Sequence, residues 1–335
     1  MPSENLPLPD LLIHLEKLAT AALKLWNTPL NAKISLLNVS ENVTYLVTAE
    51  NGYKAILRVH RKNYHNRRAI ECELAWLDAL AKDNVIKVPK YFLGKNGNAV
   101  QQAQVSGLDL PRFMVLFEFL DGIAPSEIGS LNDAFIELGT VAAKCHLHAT
   151  QWSKPAHFER LIWDVETVFG DNPTWGCWRD APEVTAKIKE TLEQVENCIK
   201  IRLSIYGKSE ERFNLIHADM RLANLLVDQN GTRVIDFDDC GFGWFMYDFA
   251  AALSFMENDP QVEIYKKAWL QGYQKIRILS SEDIKEIDTF IVLRRLALLA
   301  WIGSHIEAPE PQLLANGFAL ETAKLGKAWL DRQIK

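Results

Sequence analysis

Cysteine is scarce and scattered. The 335 residues hold five (Cys72, Cys145, Cys177, Cys198, Cys240), and no two form a C-x-x-C pair. That spacing argues against a zinc site or a disulfide framework, and reduced thiols fit a cytoplasmic protein. Long apolar runs are also missing. The most apolar stretch, Leu296 to Ile302, is far shorter than the roughly 20 residues a membrane span needs. The opening MPSENLPLPD has neither the basic start nor the apolar centre of a secretory signal. No run of positive charge is long enough to follow nucleic acid, and Lys plus Arg (37) is outnumbered by Asp plus Glu (43), for a net charge of −6. The richest basic run, Arg58 to Arg68, is broken by Asn63 and Tyr64. It reads either as a phosphate-facing edge or as a solvated one. Nothing in the sequence specifies an oligomeric state.

What is present has a clear order. Residues 9–26 carry leucines near helical spacing. Residues 33–38, 43–49 and 53–60 read as strands, with Asn51-Gly52 as the turn between the last two. A helix is predicted over 66–82 with Ile70, Leu74, Leu77 and Ala81 on one face, then a strand near 90–93 and a buried one from Phe113 to Phe119. Beyond Asp121-Gly122 helices dominate, predicted at 131–149, 181–206, 244–257, 259–276, 282–304 and 311–333. No internal repeat or low-complexity linker interrupts the chain.

The helical part is broken by LIHADMRLANLLVDQNGTRVIDFDD, residues 215–239. Leu225-Leu226-Val227 and Thr232-Arg233-Val234-Ile235 are short apolar strands around Asp228-Gln229-Asn230-Gly231, and Asn-Gly is the strongest short hairpin signal. In such a hairpin Asn224 and Asp236 meet at one end, with Asp219 on the loop just before. Three oxygen-bearing side chains then face one cavity. One carboxylate can orient a hydroxyl while an amide and a second carboxylate hold magnesium, which takes only one or two protein ligands beside waters and phosphates. This is the spacing that ATP-dependent phosphoryl transfer requires.

HADMRLAN, VIDFDD and YDFA together resemble the aminoglycoside phosphotransferase and choline kinase-like enzymes, and the resemblance runs from about residue 30 to about 310. It looks closest to the bacterial branch that includes homoserine kinase-like and stress-response kinase-like proteins. The resemblance implies an α+β, bilobal protein kinase-like fold. Residues 1–120 would be an N-terminal nucleotide-binding lobe built on a small antiparallel sheet, and 121–335 a mainly helical C-terminal lobe holding the catalytic loop and acceptor site.

On that resemblance Asp219 is the catalytic carboxylate and His217 steadies its loop, with Asn224 and Asp236 as metal ligands. Asp248 anchors the loop from the next helix. Arg58 stands where the family typically has a phosphate-binding lysine; a guanidinium fork also suits phosphate oxygens. Lys54 competes for that role from the start of the strand. Glu73 is the expected partner of Arg58, nearer the apolar face of its helix than Glu71. Ser40 and Asn42, in the glycine-free loop 38–42, would cover phosphate, and the backbone of Glu118 and Leu120 would meet adenine. The cofactors implied are ATP and Mg2+.

The acceptor is less defined. It is a small-molecule hydroxyl, of an amino alcohol or homoserine-like metabolite, or else a protein Ser/Thr; a nucleotide-binding module without turnover is the third reading, kept open by Arg58. The gap from Asp236 to Asp248 is too short for a protein-kinase activation loop, and Phe237-Asp238 replaces F-G. Asp238 and Asp239 read equally as contacts to a substrate amine or second metal and as solvated turn residues. Trp163, Trp175 and Trp178, with Asp164, Asp171 and Asp180, form either a lid over the acceptor or an irregular packed segment. His146 and His148, two apart on a helix, point to different sides and disfavour a shared metal.

Overall fold

The computed structural model describes residues 6–228 and 231–333. Strands β1 (Lys33–Val39), β2 (Asn42–Thr48) and β3 (Lys54–His60) form an antiparallel meander. β4 (Tyr91–Phe92) and β5 (Gln101–Ala103) both pair with β6 (Arg112–Glu118), which pairs with β3, so β3 and β6 are central. Alternation sets the faces. Val43, Tyr45 and Val47 of β2 point to the side covered by helix α1 (Leu8–Ala22), where Leu15, Leu18 and Ala22 join Trp26 and Leu57 in one core. Helix α2 (Arg67–Lys82) is started by Asn66, whose side chain accepts the Ala69 N–H at 2.8 Å, a cap typically worth about 1 kcal/mol. α2 packs Ile70, Leu74 and Leu77 into the core that also holds Val115 and Phe117 of β6. The same face carries Glu73, 1% exposed.

After β6 come α3 (Pro125–Ile128), α4 (Leu131–Gln151), α5 (Val165–Phe169), α6 (Ala186–Tyr206), α7 (Phe245–Ala252), α8 (Val262–Tyr273), α9 (Ser281–Ser304), α10 (Pro309–Ala315) and α11 (Phe318–Gln333). Helices α4 and α8 cross in close contact. A Cβ on Gly139 would lie 2.0 Å from Trp269 O, and one on Gly272 would lie 1.9 Å from Ile136 O. Helix α9 is buried all round from Thr289 to Ile302, the signature of a core helix. No single helix among the described residues is long and apolar enough to cross a membrane.

Several expected boundaries differ. The helix expected over 181–206 starts at Ala186, after Pro182 and a capping Thr185 that accepts from Ile188 N. The one expected over 244–257 stops at Ala252, and the turns that follow include Phe255 at φ +69°. The one expected over 311–333 is two helices, parted at Asn316-Gly317, where Gly317 has φ +75°. A three-stranded sheet, β7 (Leu161–Trp163), β11 (Gly241–Trp244) and β8 (Phe213–Ile216) in that order, has no counterpart in the sequence reading.

The hairpin β9 (Leu225–Asp228) and β10 (Gly231–Val234) has the expected antiparallel pairing, with Leu225 opposite Val234. Its turn residues Gln229 and Asn230 lie outside the described residues, as do residues 1–5. The hairpin is tied to both sides of the molecule. Val227 and Ile123 exchange backbone hydrogen bonds of 2.9 and 3.1 Å, and Val234 N–H donates to Lys87 O at 2.9 Å. These bonds fix the chain leaving β6 and the chain leaving α2 against the hairpin.

Candidate active site

The segment carrying His217 and Asp219 begins where β8 ends. Ala218 has φ +66°, a conformation that costs a non-glycine residue about 1–3 kcal/mol and persists only when its surroundings enforce it. Asp248, fully buried on α7, does so. Its Oδ2 accepts the His217 N–H at 3.1 Å and its Oδ1 the Ala218 N–H at 2.7 Å. His146 holds Asp248 in turn, Nε2 to Oδ2 at 2.9 Å, and meets the Tyr273 hydroxyl with Nδ1 at 2.9 Å. Burial pushes the His146 pKa down despite the carboxylate, so the ring is neutral. His148 faces elsewhere, to Trp76 and Asp83. The His217 ring bridges the loop to the hairpin: Nδ1 accepts from Asp219 N and Nε2 donates to Ile235 O, at 3.3 and 3.1 Å.

Asp219 is held on all sides. Its Oδ2 accepts from the Asn224 amide at 2.9 Å and from Arg221 Nε at 3.2 Å, and its Oδ1 accepts from Arg294 Nη2 at 2.8 Å. Oδ2 therefore has its acceptor capacity filled while Oδ1 keeps one lone pair. Asn224 Nδ2 also donates to Asp219 O at 2.8 Å. With the amide nitrogen committed to two oxygens, Oδ1 is the Asn224 atom left for a cation.

Ile235 N–H donates to Asn224 O at 2.9 Å, which continues the hairpin register and sets Asp236 beside Asn224. Asp236 has φ +62°. Its side chain is 49% exposed to the cleft yet surrounded by protein. Desolvation, opposed by Arg58 and reinforced by Asp238 and Asp219, raises its pKa to about 6. An amide oxygen and a carboxylate at one hairpin end fit a magnesium ion that takes its other ligands from phosphates and water. No group of three or more His, Cys, Asp or Glu among the described residues is arranged to hold a metal.

Arg58, on central strand β3, donates Nη2 to Glu73 Oε1 at 2.5 Å. Its Nη1 stands 3.7 Å from Asp236 and 3.6 Å from Asp238, beyond hydrogen-bond length, and its buried Nε has no partner. Burial works against the charge, but Glu73, Asp238 and Asp236 outweigh it and hold the pKa above the usual arginine value. The fork is thus charged and oriented, with N–H groups to spare. Lys54 is half-exposed and sits 4.0 Å from Asp121, outside this arrangement.

Two cavities meet here. One, of about 420 Å³, is lined by Leu37, Ile56, Leu77, Phe117, Leu120 and Leu226, with Arg58, Glu73 and Glu118 at its polar positions. Glu118 has its backbone N–H bonded to Lys90 O at 2.9 Å, so that N–H is not free for a ligand. The other, of about 340 Å³, holds Asp219, Arg221 and Arg294 beside Glu41, Asp238, Asp239, Trp175 and Trp301. Asn38, Asn224 and Asp236 line both. Ser40 and Asn42 line the second cavity and not the apolar cleft; the Asn42 side chain accepts the Arg61 N–H at 3.2 Å, and Asn38 is the loop residue that reaches the cleft.

Asp238 and Asp239 are not solvated turn residues, being 4% and 8% exposed. Burial opposes the Asp238 charge, but His65, Arg58 and His60 surround the carboxylate and hold its pKa well below the usual range. Asp239 accepts from the Tyr64 hydroxyl at 2.6 Å; burial, then Glu41, Asp219 and Asp238, push its pKa well up. Of the tryptophans, Trp175 lines the second cavity and donates to Tyr64 Oη at 3.2 Å. Trp163 donates to Asp239 O at 2.7 Å, and Trp178 is core, bonded to Glu196. Asp164 caps α5, and neither Asp171 nor Asp180 lines the cavity.

Arg294, Tyr64, Glu41 and Trp301 are the residues that sequence reasoning missed. Only Arg294 had a usable signal: paired arginines inside an apolar run need buried partners.

The comparisons with known proteins agree with one another. A model of the phosphotransferase enzyme family matches residues 34–279. The structure of the microcompartment-associated aminopropanol kinase is 41% identical, with a TM-score of 0.87, covering 94% of this chain and 97% of that one. Amicoumacin kinase of Bacillus subtilis (strain 168) is 25% identical over 277 residues, 79% of this chain and 78% of the relative. The amicoumacin kinase hAmiN, solved with AMP-PNP, Ca2+ and Ami, shares the fold at TM-score 0.73 and 20% identity, covering 91% of each chain.

Proposed function

Since this chain belongs to the phosphotransferase enzyme family, we propose that it moves the γ-phosphoryl group of ATP, with magnesium, to the hydroxyl of a small amino alcohol. The observation that carries this reading is the meeting of the two cavities at Asn224 and Asp236 with Asp219 in the second. The apolar slot suits a purine, with phosphates directed at Arg58. The second cavity is small, walled by Trp175, Trp301 and Phe255, and rich in carboxylates. A protein hydroxyl has no comparable support, while an ammonium-bearing metabolite suits both its size and its charge. The 41% identity to an aminopropanol kinase over 94% of the chain points the same way.

On this reading residues 1–120 form the nucleotide-facing lobe and 121–335 the catalytic and acceptor lobe. Arg58, steadied by Glu73, binds phosphate oxygens. Asn224 and Asp236 hold magnesium, which neutralises phosphate charge when bound. Asp219 accepts the acceptor hydroxyl proton through the free lone pair of Oδ1, orienting the oxygen toward the γ-phosphorus. The new O–P bond forms, the bond to the β-phosphate oxygen breaks, and ADP leaves. Most of the acceleration comes from positioning and fixed charges.

A coupled assay of ADP release with Mg-ATP tests it. The panel is 1-amino-2-propanol, ethanolamine, choline, homoserine, an aminoglycoside, 1,2-propanediol and casein. An amino alcohol should exceed the neutral diol at least tenfold in kcat/KM. Equal turnover of diol and amino alcohol, or phosphorylation of casein alone, would refute the reading.

A further inference from the structure

An amino alcohol presents two polar ends, and the cavity must place only the hydroxyl on Asp219. An ammonium makes a charge-assisted bond to a carboxylate, roughly twice as strong as a neutral one. A bare Asp219 would therefore take the amine first. Such a complex is unproductive, because the hydroxyl then lies away from the phosphate.

Arg294 alters that competition. It is 2% exposed, and every contact fixes it. Nη2 lies 2.8 Å from Asp219 Oδ1 and Nε donates to Ser254 at 3.1 Å. Nη1 reaches Ala218 O and the Tyr247 hydroxyl at 3.2 and 3.3 Å, and the guanidinium covers the Trp175 ring at 4.8 Å. Arg221 adds a second cation on Oδ2 at 3.2 Å. Asp219 therefore meets the cavity with its charge matched. Glu41 and Asp239 line the same cavity, hydrogen-bonded to Trp301 and Tyr64, and neither forms an ion pair among the described residues. The cavity thus holds one carboxylate, Asp219, matched by two cations, and two carboxyl groups, Glu41 and Asp239, with no cation paired to them.

We infer that Arg294 is a positioning residue that sets which end of the acceptor meets Asp219, by cancelling its attraction for ammonium and leaving the amine to Asp239 and Glu41. The inference rests on the amino-alcohol reading above. It assigns Arg294 a part in specificity as well as in holding the loop.

The full-length protein is compared as wild type, Arg294→Gln and Arg294→Lys, with 1-amino-2-propanol and 1,2-propanediol as acceptors and n-propylamine as inhibitor. In Arg294→Gln, kcat/KM for the amino alcohol should fall at least tenfold more than for the diol, and propylamine should inhibit at least fivefold more tightly. Arg294→Lys should restore most of both. A merely structural role would lower both acceptors alike and leave inhibition unchanged, and that result overturns the inference. Should the Arg294 variants fail to fold, propylamine binding is measured calorimetrically on Asp219→Asn and Asp239→Asn. Loss of binding in Asp239→Asn alone supports the assignment, and loss in Asp219→Asn overturns it. A wild-type enzyme that leaves amino alcohols untouched overturns the functional reading, and this inference with it.

Discussion

Trp301, near the end of α9, donates its indole N–H to Glu41 Oε1 at 2.5 Å, joining residues 260 positions apart. Glu41 sits in the tight connection between β1 and β2, so this hydrogen bond joins the β-sheet side of the second cavity to its helical side. Burial raises the Glu41 pKa even with the backbone and Trp301 bonds opposing it. The carboxylate is thus costly to keep charged until a cation arrives.

Replacing Trp301 with Phe keeps the ring and removes the donor. A hydrogen bond to a charged group is worth about 1.5–3 kcal/mol, so the acceptor KM should rise about tenfold or more while ATP KM stays within about twofold. Steady-state kinetics with each substrate varied in turn read the split. An ATP effect of the same size would show that the bond supports the fold as a whole.

Arg58→Lys keeps the charge and loses the fork. A single ammonium cannot serve Glu73 and phosphate with the same geometry, so ATP KM should rise about tenfold, in line with one charge-assisted bond, with acceptor KM little changed. Arg58→Ala is the harsher variant. It leaves Glu73 buried without its cation, a loss of about 3–5 kcal/mol, and chemical denaturation should detect it.

How much of this could be read from the chain depends on distance along it. The hairpin was legible because the Asn-Gly turn and its flanking strands are local, and the short spacing from Asn224 to Asp236 carries the pairing. Arg58 was legible through the family resemblance, and Glu73 through a helical wheel. The run holding Arg294 showed that it needs buried partners, but nothing local points to Asp219 as that partner, 75 residues away. Strands β7, β8 and β11 are each three or four residues long, and β11 contains Gly241 and Gly243, so no periodicity could reveal them. The break at Asn316-Gly317 was visible as turn chemistry, but the apolar pattern on either side masked it.

On the proposed reading, the raised pKa of Asp236, about 6, would give magnesium binding a pH signature. A proton competes with the cation for this carboxylate, so lowering pH through 6 should weaken Mg-nucleotide binding. The stability contribution has the sign of a raised carboxyl. Without metal the folded state favours the proton, so this group lowers stability as pH rises from about 4, the usual carboxyl value, through 6. Added Mg-AMP-PNP should therefore raise the melting temperature more at pH 7.5 than at pH 5.5. Equal shifts at both would remove Asp236 from the metal site.

Asp248→Ala should be the most destabilising substitution near the site. It strips the acceptor from two backbone N–H groups flanking left-handed Ala218 and leaves His146 unpartnered on one side. Each buried donor left without its acceptor costs about 1–3 kcal/mol, and urea denaturation should register the combined loss. Asp248→Asn restores volume and one acceptor oxygen, so it should recover part of the stability while kcat stays low.

Asp236→Ala and Asp219→Ala should also be compared for turnover. General-base assistance is commonly worth about 10²–10⁴ in rate, and Asp219 shares its work with fixed charges that survive its removal. On the proposed reading Asp236 would supply one of two protein ligands to magnesium, and its loss also frees Arg58 from a nearby carboxylate at 3.7 Å. The kcat of Asp236→Ala should accordingly fall at least as far as that of Asp219→Ala, with partial recovery of the former alone at high magnesium. Turnover near wild type in Asp236→Ala would move the metal to other residues, and Asp238, 3.6 Å from the same guanidinium, would be the first to test.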